Sequence, residues 1–463
     1  MKYNREDEIK INKDDERREW LLTKSTGSLI VNLCIPGIIG MIVIALYTFM
    51  DSVYAGQMIS KEAMAAIGIA YPVTLINNGM ATLFGIGGAS VLSRAIGAKD
   101  KEKSYAVLPT VSFYIIAVSI ITTVIGYLGA EKILRLSGAE GSILSQSIEY
   151  CKLIFLGSVL VNYTQASNML IRGEGRMVKA MMIMGTGAII NIILDPIFII
   201  AFPLAGVKSV AYATLISQFI QVVLTIIFFS KSRGPLHLSK PTVTKELTKP
   251  ILAVGVTAMI MQLFAMVQQL LFYRVSSQYG GENFMILMSA FLRIQMFAFV
   301  PLWGMSQGFQ PYVGTNYGAK EYKRLLKGSK EFIYSSLFLA ILFFLPIQVF
   351  TKNIISLFIK DPSLVSEGII PMRIFFSTFF LYGVMVMLGV YFQSIGDAKT
   401  AGVIIVGRNV LLFTPLIFII PAIFGANGIW FVQLICDIIA IGYGIIKFVS
   451  HRNKIRTEIE LSK

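Results

Sequence analysis

Long apolar runs separated by short polar connections recur from about residue 28 to residue 449. A helix needs on the order of 20 apolar residues to cross the hydrocarbon of a bilayer. The pattern predicts twelve such spans, at roughly 29–55, 63–90, 105–128, 143–170, 180–201, 206–230, 250–278, 284–312, 331–351, 366–392, 400–421 and 425–449. The longest polar connection, KSRGPLHLSKPTVTKELTKP from Lys231, falls at the midpoint of the chain and parts it into two groups of six. The expected fold class is all-α integral membrane, with twelve transmembrane helices in two six-helix lobes. The expected units are a cytoplasmic N-terminal tail (1–27), an N-lobe (28–230), a cytoplasmic linker (231–249), a C-lobe (250–449) and a cytoplasmic C-terminal tail (450–463).

The two groups repeat each other. GGASVLSRAIGAKD at 87–100 and GFQPYVGTNYGAKE at 308–321 each close an apolar, glycine-dotted segment at a Gly-Ala-Lys-acid corner, about 221 residues apart. The likeness extends to LRLSGA (134–139) with LFIKDP (357–362), Lys152 with Arg373, and RGEGR (172–176) with IGDAK (395–399). Pro196 pairs with Pro415, and Gly206 with Gly425. Six spans is an even number, so both halves enter the membrane in the same direction. Such parallel repeats are related by an axis along the membrane normal, an arrangement common in transporters with a cavity between two lobes.

Composition narrows the class. A mean hydropathy of +0.70, with 55% hydrophobic and 14% charged residues, excludes an ordinary soluble domain. A net charge of +15 would suggest nucleic acid in a soluble protein. Here the basic residues lie in short connections between apolar runs, so the positive-inside rule accounts for them and no nucleic-acid partner is expected. With the N-terminus inside, the tails and even-to-odd loops hold about 30 basic residues and the opposite loops about 6, which places both termini in the cytoplasm of a multi-pass cell-membrane protein. The first 27 residues lack the basic start and apolar middle of a signal peptide. Cys34, Cys151 and Cys436 sit in apolar segments without pairing or metal spacing and read as core. Both histidines, His237 and His451, lie outside the spans, and no metal or Ser/His motif is visible, so an enzyme is not expected.

Repeats specify scaffold, so function is sought where the halves differ. Three acids lie deep in spans: Asp51, Asp195 and Asp437. The counterparts of the first two, Phe272 and about Thr414, cannot ionise. A carboxylate in hydrocarbon costs roughly 3 kcal/mol unless it is neutralised or partnered. Tyr47 and Asp51 share a helical face at i, i+4, as do Asn191 and Asp195. Thr214 lies at matching depth. One outer-half cluster of Asp51, Asn191, Asp195 and Thr214 would offer hard oxygen ligands for a small cation, or a proton-sharing carboxyl pair. Asn191 or Thr214 alone would read as an interhelical hydrogen bond; two buried aspartates ask for more. Pro36, on the same span as Asp51, is a hinge candidate. Asp437 stands with Gln433 on its face. Arg293 and Arg408 read as deep, with glutamines or Asp437 as possible partners. The 21 Met and 32 Phe residues would suit an adaptable cavity, though most must be packing.

These residues resemble the multidrug and toxic compound extrusion (MATE) transporters, most closely the MepA-like bacterial branch. The likeness covers about 28–449 and rests on the two six-span lobes, the GAKD and GAKE corners, FMDSVYAG around Asp51, RGEGR, and NIILDP from Asn191 to Pro196. It implies a V-shaped two-lobe fold and export of bulky, often cationic amphipathic compounds driven by inward H⁺ or Na⁺. It also implies a coupling site at Asp51, Asn191, Asp195 and Thr214, which would be metal ligands under Na⁺ coupling. Tyr47, Gln165, Asn168 and Gln218 are the substrate-cavity candidates, with Gln165 where asparagine is frequent. Pro36 matches the proline at which span one is proposed to bend. Another branch carries a C-lobe cation site with acids in spans seven and ten; here Gln268 and Gln269 stand in span seven and span ten has no acid.

The function expected is a secondary multidrug antiporter with small-molecule drugs or organic cations as substrates, the lipid bilayer as setting, no cofactor beyond the coupling H⁺ or Na⁺, and a monomeric state. The alternative is a flippase or exporter of lipid-linked or polar metabolites from the same superfamily. That reading would require a strongly cationic cavity, towards which Arg293 and Arg408 point and the acidic N-lobe does not.

Overall fold

The computed structural model describes residues 16–136, 141–359 and 361–461. Parts of the LRLSGA and LFIKDP motifs, the first fifteen residues of the expected N-terminal tail and the last two of the C-terminal tail lie outside them. Among the described residues the chain is helical, and ten helices are long and apolar enough to cross a bilayer, eleven with one bent pair. The spans are α1 (Thr26–Tyr54), α2 (Lys61–Gly97), α3 (Lys101–Leu136), α4 in two pieces (Gly141–Leu156, Ser158–Gly173), α5 (Met177–Ala201) and α6 (Val207–Lys231). Then come α7 and α8 (together Lys245–Gly318), α9 (Tyr322–Val349), α10 (Ile369–Ile395), α11 (Ala398–Phe424) and α12 (Ala426–Thr457).

The 74-residue segment Lys245–Gly318 holds two crossings. Straight, it would run about 110 Å, more than three bilayer cores. Gly281 interrupts it with φ 68° and ψ −159°, a conformation open to glycine and closed to most side chains. Gln262 and Gln310, nearly fifty positions apart, therefore line the same cavity. With that break the twelve expected crossings are present. Their internal form differs from uniform helices. The fourth is bent by 57° at Gly157, where a Cβ would sit 2.0 Å from Leu215. The first ends in a π-helical turn, Ala55–Ile59, and the eleventh is π-helical over Val403–Leu412. Periodicity close to 3.6 cannot tell these wider turns from ordinary helix.

The repeat is visible in the backbone. Lys99 and Lys320 take φ 57° and 59°, and Gly175 and Gly396 take 85° and 86°. At each corner the same bonds recur. Ala98 N–H donates to Arg94 O at 2.9 Å and Asp100 N–H to Ala95 O at 3.0 Å; Ala319 N–H donates to Thr315 O at 2.9 Å and Glu321 N–H to Asn316 O at 2.9 Å. Each corner is a helix stop with a left-handed residue and a six-to-one bond, here built on lysine instead of glycine.

The corners meet each other. A Cβ on Gly97 would sit 2.1 Å from Thr315 O, and one on Gly318 would sit 2.1 Å from Arg94 O. The two contacts exchange under the repeat shift, the signature of a two-fold, isologous interface. Further along, Gly87 abuts Ile251, Gly255 abuts Leu83, Gly304 abuts Ile38 and Gly308 abuts Leu33. Helices in lipid gain little from hydrophobic burial against one another, so backbone proximity through small residues holds the halves together. Polar bonds close the same end: Ser90 Oγ donates to Gln393 O at 2.5 Å and Arg94 Nη1 to Ser394 O at 2.9 Å.

Both ends of the described chain lie at the corners. His451 packs beside Tyr317. Residues 16–23, expected as part of a plain tail, form a helix seated on both halves. Arg18 Nε donates to Gly97 O at 3.1 Å, Arg324 Nη2 donates to Leu21 O at 3.1 Å, and Leu21 is fully buried. The central connection is packed too. Leu236 is buried and Thr242 N–H donates to Pro109 O of α3.

Gly97→Ala and Gly318→Ala should each destabilise the protein by about 1–3 kcal/mol, the usual range for overpacking a tight contact. Gly185→Ala, in a helix with no atom within 4 Å of the new Cβ, should be neutral or stabilising by about 0.5–1 kcal/mol. Thermal melting in detergent compares the three.

Candidate functional site

Four of the expected residues converge. Asp51 comes from the end of α1, just before the π-turn; Asn191 and Asp195 come from one face of α5; Thr214 comes from α6. Asp51 is 6% exposed, Asn191 2% and Asp195 0%. The two carboxyl groups lie within hydrogen-bonding reach of each other. Asn191 Nδ2 lies 3.4 Å from Asp195 Oδ1 and 3.5 Å from Thr214 Oγ1, bridging the acid to the hydroxyl. Thr214 Oγ1 in turn donates to Val210 O at 3.0 Å. Pro196 follows Asp195 and has no N–H to bond the carbonyl four residues back, which leaves a further acceptor on this stretch of α5.

The surroundings are apolar. Ala55, Ile67, Val73, Ile154, Phe155, Ile199 and Val210 form one packed cluster about this part of the N-lobe. Within it, Asp51 Oδ1, Asn191 Oδ1 and Asp195 Oδ2 have no hydrogen-bond partner among the described residues. Unpartnered buried acceptors are costly, and several in one place create a demand for a proton or a cation. The oxygen set suits either one. These side chains could hold a small hard cation, and no His/Cys/Asp/Glu group of metal-binding type occurs among the described residues.

Tyr150, on the first piece of α4, was not singled out from sequence; it is buried in the same packed cluster and within electrostatic range of Asp51. The bend at Gly157 hid its position, because a straight fourth span gives no reason to choose that tyrosine. Tyr47 stands one turn before Asp51 on α1. Gln218, one turn from Thr214 on α6, is buried with Oε1 unpartnered. Asn168 lies elsewhere. Its Nδ2 donates to Ala180 O at 2.8 Å, and with Pro36, Arg172 and Met177 it lines a small cavity of about 20 Å³. Gln165 is half-buried on α4, beyond the bend. Helix α1 runs unbroken through Pro36, and a Cβ on the next residue, Gly37, would sit 2.4 Å from Gly304 O. The hinge candidate thus stands where α1 crosses α8.

The C-terminal half handles charge differently. Arg408 and Asp437, 4% and 1% exposed, pair with each other: Nε and Nη2 of the arginine both lie 2.6 Å from Asp437 Oδ1. Thr378 Oγ1 donates to Asp437 Oδ2 at 2.8 Å, and Arg408 Nη1 donates to Asn409 Oδ1 at 2.6 Å. Arg293, expected to be deep, is exposed and borders a surface recess with Tyr273 and Phe358. Its place on the outer face of α8 was invisible without the crossing angle.

The MatE family profile matches residues 36–197 and matches again at 257–419. The chain belongs to the MatE family. The two matches are spaced by the same interval as the two corners. Among relatives of this MatE protein is the multidrug export protein MepA of Staphylococcus haemolyticus, 24% identical over 96% of this chain and 98% of its own length. A MepA of Staphylococcus aureus is 25% identical over 91% and 93%. A crystal structure of a MATE in a bent conformation superposes with a TM-score of 0.88 at 25% identity, covering 95% of this chain and 98% of the other. A transporter of the MOP superfamily from Pyrococcus furiosus, described as having a binding pocket of reversed polarity, superposes with a TM-score of 0.87 at 25% identity, over 94% and 98%.

Arg408→Met should cost about 3–5 kcal/mol, because it strands the Asp437 carboxylate in the core. The double substitution Arg408→Met with Asp437→Leu should recover most of that loss. Melting temperatures around this cycle measure the coupling.

Proposed function

We propose that this protein is a multidrug exporter of the cell membrane, driven by inward flow of H⁺ or Na⁺ through the Asp51–Asp195 cluster. The observation that carries the reading is the pair of buried carboxyls within hydrogen-bonding reach, one from α1 and one from α5, beside unpartnered acceptor oxygens. Ionised carboxylates have no donor to offer each other, so a bond between them needs a proton on one. With a proton or a cation in place, α1 and α5 are drawn together. Without one, two like charges in an apolar setting repel strongly.

That difference supplies the coupling. An empty acid pair attracts an organic cation. Loading the pair from outside cancels the attraction and lets α1 repack, which releases the cation outward; discharge to the inside resets the pair. Asn191 and Thr214 orient the acids and complete the oxygen shell. Tyr150 lies in the packed cluster about this part of the N-lobe, within electrostatic range of the acids. Under this reading the corner end, with its run of Arg94, Lys99, Lys101, Lys103, Lys320, Lys323, Arg324 and Lys327, faces the cytoplasm together with both termini. The resemblance to MepA multidrug export proteins supports drug export, and the MatE membership supports a transporter over an enzyme.

Ethidium efflux from cells lacking their own pumps tests this, with proton and sodium gradients collapsed separately. Wild type should need one gradient. Asp51→Asn and Asp195→Asn should each slow gradient-driven efflux by about two orders of magnitude or more, the equivalent of losing at least ~2.7 kcal/mol of coupling. Asp51→Asn cells that pump at the wild-type rate with the gradient intact would defeat the mechanism.

A further inference from the structure

A cavity of about 320 Å³ lies in the C-terminal half, lined almost wholly by α7, α8, α10 and α11. That volume is at the lower end for drug-sized ligands. Its chemistry is unusual for a membrane interior. Seven glutamines reach it, among them Gln262, Gln295, Gln307 and Gln310, together with Asn409. Gln307, Gln310 and Gln393 are deep, at 7%, 5% and 4% exposure. One wall is aromatic: Phe299 stands edge-on to Trp303 at 5.6 Å and to Tyr382 at 5.5 Å between centroids.

Arg408 is the one charged side chain in the lining, and no carboxylate is among the lining residues. The arginine's charge is already answered. Asp437 lies behind it at 2.6 Å, and its guanidinium stacks over the Tyr382 ring at 5.0 Å. An organic cation entering here would lose hydration and meet no counter-charge. An anion would have to compete with Asp437, which already holds the guanidinium as an ion pair, with Nε donating to it and Nη1 donating to Asn409 while Nη2 makes no hydrogen bond. What remains on offer is a set of neutral amides, each able both to donate and to accept, around aromatic faces. Few of these capacities are used internally: Gln310 Nε2 donates to Ile86 O at 3.5 Å and Gln269 Nε2 to Tyr273 Oη at 3.3 Å.

We propose that this cavity is a second binding site, for uncharged planar aromatic compounds that carry carbonyl and N–H groups on one edge. The aromatic wall takes the ring faces and the glutamines take the polar edge. Asp51 and Asp195 lie in the other half and are not among the lining residues, so an uncharged ligand here makes no contact with the acid pair. The site thus stands beside the exporter reading and does not rest on it.

The test uses the full-length protein in detergent. Lumiflavin, an uncharged tricycle with carbonyls and an N–H along one edge, is the probe, and ethidium is the charged comparison. Lumiflavin should bind saturably, quench a component of fluorescence that Trp303→Phe removes, and bind Asp51→Asn within about twofold of wild type. Gln262→Leu combined with Gln295→Leu should weaken it by about tenfold or more, as expected for losing hydrogen bonds to the polar edge, with ethidium efflux near the wild-type rate. Non-saturable binding, quenching that Trp303→Phe leaves intact, or binding abolished by Asp51→Asn would each overturn the proposal. So would full affinity in the glutamine double variant. Should that variant fold poorly, the Trp303 quenching of the otherwise unaltered protein decides the matter. If ethidium efflux proves independent of Asp51, the acid-pair reading falls while the lumiflavin result still judges the cavity.

Discussion

Backbone contact between two copies of one fold, permitted by glycine, is the constraint on which the rest of this molecule depends. Gly97 and Gly318 let the two corners touch carbonyls across the interface, and Gly37, Gly87, Gly255, Gly304 and Gly308 extend that contact along α1, α2, α7 and α8. In lipid no hydrophobic force would otherwise favour one helix pairing over another. The contacts gather at the end of the molecule that also holds the helix at 16–23, the Arg94 bonds to α10, and His451 of α12. The opposite ends of α1 and α5, where the acids reside, are left to respond to what binds there.

Upon that symmetric frame the two halves treat buried charge in opposite ways. In the C-terminal half an acid is answered permanently, by Arg408 on one oxygen and Thr378 on the other. In the N-terminal half two acids lie within hydrogen-bonding reach of each other, with no salt-bridge partner among the described residues. A compensated pair is a structural element whose loss destabilises; an uncompensated pair changes its interactions with every proton or ion it gains. The same asymmetry divides the two proposed binding sites, one acidic, the other neutral and amide-lined.

Much of this was legible in the sequence. Twelve apolar runs and the doubled Gly-Ala-Lys corner carried the architecture, because hydrocarbon thickness acts on composition directly. The i, i+4 pair Asn191–Asp195, Asp51 and Thr214 could be grouped by depth alone, and the structure brings them together. Tyr150 could not be found so, since its position follows from the bend at Gly157. Arg293 and Arg408 looked equivalent as buried bases. Only helix orientation shows that the first is at the surface and the second is locked to Asp437. Asn168 and Gln165 share a span with Tyr150 but sit beyond the bend, where neither joins the acid cluster. The helix at 16–23, read as part of a tail, is held by packing of Leu21 and by arginine bonds to distant carbonyls, which local composition does not encode.

The central claim is that drug and ion compete through one acid pair. Its most direct measurement is the release of bound ion when ethidium binds the purified protein, followed as proton release in weakly buffered detergent and as displacement of labelled sodium. Ethidium should expel a proton or a sodium ion from wild type, and Asp51→Asn and Asp195→Asn should bind it without expelling either. Ethidium binding to wild type with no ion released, or equal release from the Asp51→Asn protein, would contradict it.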